Sequence, residues 1–162
     1  MEDTEVKNLT SRTECAEAVE KLIESANSQV AIFSQQLEPL LYNHARICQK
    51  ISAISRRHRH SDIRIIALST RAVAANGHCL IELAQRLPSS IQIRTPKTEE
   101  LQHFRESWLI TDDHSIMQIN NPDRYEGSLI QHNRLHVKTQ LDFFNDAWEN
   151  SEQDQNTRRL SL

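Results

Sequence analysis

The sequence predicts a mixed α/β domain whose sheet is covered by helices on both faces. Three observations lead there. Short apolar runs that read as strands alternate with longer stretches whose apolar residues recur every three or four positions. Gly and Pro are scarce, two and four of 162 residues, which favours long helices over a loop-rich all-β chain. At 38% hydrophobic and 25% charged residues, the chain has enough apolar material for the core of one domain and lacks the composition of a disordered one.

The expected division is a flexible acidic N-terminus over residues 1–10, the α/β domain over 11–151 and a polar C-terminal tail over 152–162. Ser11-Arg-Thr-Glu14 fits a capping box. The helix it opens carries Cys15, Ala18, Val19, Leu22 and Ile23 at helical spacing and ends near Ala26. Gln29–Ser34 is short, apolar and β-branched, a strand. Leu40, Leu41, His44, Ile47, Cys48, Ile51 and Ile54 form one stripe, predicting a single helix from Pro39 to Arg57. Asp62–Leu68 is nearly continuous in apolar residues and reads as a central strand. A helical region opens at Ser69-Thr70, is broken or bent at Gly77, carries Leu80, Leu83, Ala84 and Leu87, and stops at Pro88. Ser90–Arg94 alternates in the β manner. Trp108–Thr111 and Ser115–Ile119 are strands joined by an Asp112-Asp113-His114 turn, a hairpin. A last helix presents Val137, Leu141, Phe144 and Trp148 on one face.

The formal net charge is -3, which predicts no global attraction to nucleic acid or to an anionic membrane. The acidic N-terminus has no apolar run, arguing against a secretory signal, and no segment reaches the ~20 apolar residues of a membrane span. A cytoplasmic protein is expected. Cys15, Cys48 and Cys79 lie on apolar helix faces without short spacing, so they read as buried hydrophobes rather than a disulfide framework or metal site. No P-loop, GxGxxG, nucleophile elbow or HExxH is present, and no metal or cofactor is expected.

The candidate chemistry concentrates in His103–Asn120, a polar approach rich in His and Arg that leads into the strand, Asp turn and second strand. With the element order, the chain size and the closing helix ending in Phe144-x3-Trp148, this stretch resembles a single repeat of the phospholipase D-like superfamily over roughly residues 11–151. That family's pattern is H-x-K-x4-D-x6-G-S. Its histidine attacks phosphorus, a second copy's histidine protonates the leaving oxygen, and the lysine and a later Ser or Asn help hold the phosphate. Anchored on Asp112, the pattern places Arg105 at the nucleophile, Ser107 at the lysine and Ile119-Asn120 at Gly-Ser. A guanidinium clamps phosphate through paired hydrogen bonds but is no nucleophile at neutral pH. A shifted register recovers H-x-R from His103 and Arg105, but moves Asp112 two residues too far. More narrowly, Gly77–Ser89 and Arg158-Arg159-Leu160 resemble an uncharacterised bacterial domain family whose members are often joined to a GNAT-type acetyltransferase.

His136-Val-Lys138 is a literal H-x-K, but on a helix those side chains diverge by about 200° and cannot meet on one phosphate. Arg56, Arg57, His58, Arg59 and His60 form the one dense basic run, read first as cations at a helix C-terminus and second as an anion or nucleic-acid contact. His44 and His78 read as boundary histidines. The expectation is a non-catalytic binding or interaction module, with His103, Arg105, Ser107, Asp112 and Asn120 as a degenerate, anion-binding remnant of the motif. The partner would be a second copy, with motif strands facing as the resemblance implies, or a protein such as a GNAT-type acetyltransferase. The alternatives are a phosphodiesterase or nuclease using His103 with Arg105, and an accessory nucleic-acid-binding domain using Arg56–His60.

Overall fold

The computed structural model describes residues 4–57 and 59–157. Strands β1 (Glu5–Leu9), β2 (Gln29–Ser34), β3 (Asp62–Ala67), β4 (Ile91–Pro96), β5 (Ser107–Thr111), β6 (Ser115–Asn121), β7 (Glu126–Gln131) and β8 (Ser151–Gln153) form one mixed sheet in the order β1-β7-β6-β5-β2-β3-β4-β8. β2, β3 and β4 run parallel, and the remaining neighbours are antiparallel. Helices α1 (Arg12–Ser25), α2 (Pro39–Tyr42), α3 (Ala45–Arg57), α4 (Arg71–Asn76), α5 (Cys79–Arg86), α6 (Glu99–Gln102) and α7 (Arg134–Glu149) connect them.

Alternation along the strands divides the core in two. Ile32, Ile65, Leu109 and Met117 pack with α1, α3 and α5. Phe33, Ile66, Trp108 and Ile116 pack with Val137, Phe144 and Trp148 of α7. Residues one apart on a strand face opposite sides, so every central strand supplies both layers and must be apolar throughout. The expected covering of both faces by helices follows directly. None of the described helices is long and apolar enough to cross a membrane.

The expected strand at Gln29–Ser34 and the Trp108–Ile119 hairpin form as read, and the strand expected over Asp62–Leu68 ends one residue earlier, at Ala67. Asp112 and Asp113 both have positive φ, and His114 N–H closes the turn on the Thr111 carbonyl at 3.3 Å. Two left-handed residues at the turn match the twist of the paired strands. The capping reading also holds, with Ser11 Oγ accepting from Glu14 N–H at 3.1 Å. The Glu14 carboxylate reaches back to the Thr10 hydroxyl at 2.7 Å.

Elsewhere the structure departs from expectation. The lead expected to be frayed contains β1, an edge strand paired along its length with β7 and anchored by buried Leu9. The polar tail contains β8, and beyond it Asp154 and Thr157 are buried; residues 158–162, with the Arg158-Arg159-Leu160 motif, lie outside the described residues. The single helix from Pro39 is two, because Asn43 leaves helical geometry at φ -89°, ψ 63° and its side chain accepts from Cys79 N–H. Gly77, at φ 86°, separates α4 from α5. Cys48 and Cys79 are joined in a disulfide rather than buried as separate thiols, and Cys15 alone is free.

Candidate functional site at the C-terminal edge of the parallel strands

β5 runs antiparallel to β2, with Phe33 opposite Trp108. Residues 103–107 therefore arrive where β2, β3 and β4 end, the edge at which open α/β sheets form their ligand crevices. The site residues expected from the sequence meet there only in part.

His103 caps α6 and is exposed. Its Nδ1–H donates to the Glu99 carbonyl at 2.8 Å, holding the ring along its own helix. Arg105 is also exposed, and its Nη2 donates to Asp123 Oδ2 at 2.9 Å. Ser107 is the first residue of β5 and only 3% exposed; its hydroxyl has no hydrogen-bond partner. Ile119 pairs with Ser107 across the sheet, so exposed Asn120 follows directly at the bulge of β6. Gly127 is required behind this bulge: a Cβ there would run into the Gln118 carbonyl oxygen and lie 2.8 Å from Ile119 Cα. Arg105, Ser107 and Asn120 thus share one end of the β5–β6 pair.

Asp112 does not join them. It lies at the other end of β5, roughly 17 Å away for a strand of that length, and its carboxylate is committed to backbone. Oδ2 accepts from Asn27 N–H at 2.7 Å, and Oδ1 from Ser28 and Gln29 N–H at 3.0 Å each. Its visible role is to fix the entrance to β2. Asp112, expected among the anion-binding candidates, thus stands apart from Arg105, Ser107 and Asn120, with its carboxylate taken up by three backbone N–H groups.

Several contributors were not legible from sequence. Phe33, Phe104, Trp108 and Phe143 form one aromatic group with centroids 5.2–6.4 Å apart, and Phe143 is 38% exposed. Glu106 accepts from Trp108 Nε1 at 3.3 Å and from Gln118 Nε2 at 2.9 Å. On the opposite face, Tyr125 O–H donates to Glu38 at 3.0 Å beneath the Arg12 guanidinium. Burial and the Glu38 charge push the Tyr125 hydroxyl above the usual tyrosine range. Tyr42 is buried with an unpartnered hydroxyl, and desolvation pushes it up as well. No motif flags these residues, because each is recruited by tertiary packing rather than by spacing.

The basic run lies elsewhere. Arg56 and Arg57 end α3, and exposed Arg59 and His60 lead into β3 at the opposite edge of the sheet; His58 lies outside the described residues. His136 and Lys138 are exposed on α7, and Lys138 is paired with Asp142. Among the described residues no group of three or more His, Cys, Asp or Glu side chains could hold a metal ion.

Residues 11–160 match the family described as Domain of unknown function (DUF7931). The chain belongs to that family. No curated protein matches it. Among solved structures it is similar to Nuc from Salmonella typhimurium, a phospholipase D family member, with a TM-score of 0.68 and 16% identity over 94% of this chain and 99% of that one. It is similar to NucT from Helicobacter pylori, with a TM-score of 0.62 and 12% identity over 94% and 99% of the two chains. The archaeal chromatin protein TrmBL2, whose structure shows a novel mode of DNA binding, gives a TM-score of 0.66 and 14% identity over 95% of this chain and 55% of that one. The DUF7931 chain therefore has the fold of a single phospholipase D family domain.

Proposed function

We propose that this DUF7931 chain is a non-catalytic binding module on a phospholipase D-like fold, its partner a second copy or another protein such as a GNAT-type acetyltransferase. The observation that carries the reading is the pair Arg105 and Ser107. At the positions where the superfamily pattern calls for the attacking histidine and the phosphate-holding lysine stand an ion-paired guanidinium and a buried hydroxyl. Neither supplies a nucleophile, and His103, the nearest imidazole in sequence, is turned back onto α6. The same edge offers the partly exposed ring of Phe143 against Phe104, and an exposed Arg105 next to Phe104 in the chain; aromatic and Arg side chains are the usual anchors of an interface.

The test is hydrolysis of bis-p-nitrophenyl phosphate by the wild type and by His103→Ala. The expected rate is that of the buffer for both, whereas turnover lost in His103→Ala would establish the phosphodiesterase alternative instead. A second reading, contact with nucleic acid through Arg56, Arg57, Arg59 and His60, is favoured by their exposure together between the end of α3 and the start of β3. It requires binding that weakens as salt rises, because neutralising phosphates releases counterions.

A further inference from the structure

The Cys48–Cys79 bond ties α3 to α5 across 31 residues of sequence, with Cys48 buried and Cys79 partly exposed. It lies in an open recess of about 270 Å³ between Gln49, Ser52 and Arg56 of α3 and Glu82, Leu83 and Arg86 of α5. Cys79 is the more exposed of the two sulfur residues and the first residue of α5. Its sulfur lies 3.6–3.7 Å from the backbone carbonyl oxygens of Tyr42 and His44. Cys48 sits within α3 and is buried. Seven residues separate Cys79 from Arg86, which along a helix is about 10 Å. The recess thus has a sulfur at one end, and its lining sets two guanidinium groups against the single carboxylate of Glu82.

We infer that Cys48–Cys79 is a thiol–disulfide exchange site whose co-substrate is a small anionic thiol drawn in by Arg56 and Arg86. The thiolate of the incoming molecule attacks Cys79 Sγ and forms a mixed disulfide there. The Cys48–Cys79 bond breaks, its electron pair leaving on Cys48 Sγ, which takes a proton from solvent. A second thiolate attacks the bound thiol's sulfur, releasing Cys79 as thiolate, which is then protonated, and carrying away the oxidised small molecule. Two external thiols are oxidised to one disulfide, and Cys48 and Cys79 are reduced. Reduction removes the covalent tie between α3 and α5. The free Cys15 takes no part, since burial pushes its thiol up to about 11 and thiolate is the reactive form.

The full-length chain, purified in air, should yield one alkylatable thiol on unfolding, because two of its three cysteines are joined. Rates of native-state reduction are then compared for glutathione, which is anionic, and for neutral 2-mercaptoethanol. In Arg56→Glu/Arg86→Glu the glutathione rate should fall by roughly three- to tenfold, the scale of exposed charge interactions, while the 2-mercaptoethanol rate holds. Cys48→Ser incubated with oxidised glutathione should accumulate the mixed disulfide on Cys79. Three free thiols in the air-purified chain would overturn the inference. So would a bond that resists both thiols until the protein unfolds, or equal loss of both rates in the charge-reversed variant.

Discussion

The Asp112 carboxylate accepts three backbone N–H groups from the loop that leads into β2, and removing it leaves those donors without partners. Hydrogen bonds to a charged group contribute about 1.5–3 kcal/mol each at most and overlap when they share one acceptor. Asp112→Ala should therefore lower unfolding free energy by about 2–4 kcal/mol in urea titration, with Asp112→Asn losing less. His78 is the second residue whose role is fixed by its bonds. Its Nδ1 accepts from Leu80 N–H at 3.1 Å, so the ring proton sits on Nε2 and donates to the Leu37 carbonyl at 3.0 Å. Protonating Nδ1 would set two donors against each other. Burial, only partly offset by the Leu37 carbonyl, holds this imidazole below the usual histidine range. Its unfolded form then binds a proton more readily than its folded form, so the stability it contributes is complete above about pH 6.5 and is lost as pH falls through that value toward the depressed folded pKa. Urea midpoints should drop between about pH 7.5 and about pH 5.5. His78→Asn, which keeps an acceptor for Leu80 N–H and does not titrate, should flatten that drop. The sequence reads His78 as a boundary histidine beside an apolar helix face; its second bond, to the Leu37 carbonyl, spans 41 residues and leaves no local signal.

Among elements, legibility followed burial. β2 and β3 are apolar on both faces because both faces are covered, and they stand out of the sequence for that reason. β7 has the sequence Glu-Gly-Ser-Leu-Ile-Gln and lies near the edge with partly exposed side chains, so it leaves no apolar run to read. β1 and β8 sit at the two edges and bury one residue each, Leu9 and Ser151. The stripe from Leu40 to Ile54 conceals the break at Asn43 because α2 and α3 both face the same core. Gly127 has an element-scale consequence. Gly127→Ala forces a methyl group against the β6 backbone, which should cost about 1–3 kcal/mol and appear as faster amide exchange along β6 and β7. On α7, Phe144 is buried against Trp148 and lies beneath the Arg64 guanidinium. Phe144→Ala should cost about 3–5 kcal/mol in thermal or urea unfolding, far more than removal of solvent-facing Lys138.

For the molecule as a whole, one sheet serves two cores, and Arg105, Ser107 and Asn120 gather where its parallel strands end. The fold was legible because its central layer is written in uninterrupted apolar strands and its hairpin in two aspartates. The site was legible only as positions. Arg105, Ser107 and Asn120 do share one end of the sheet, but Asp123 reaches Arg105 through a turn, and Phe143 reaches Phe104 through helix packing, that no spacing announces. The same holds for Cys48 and Cys79, which meet because α3 and α5 pack side by side. The central claim is that this edge binds without cleaving. It is tested most directly by incubating an end-labelled single-stranded oligonucleotide with the wild-type chain in molar excess and resolving the products. The account predicts an intact oligonucleotide; cleavage that His103→Ala abolishes would contradict it.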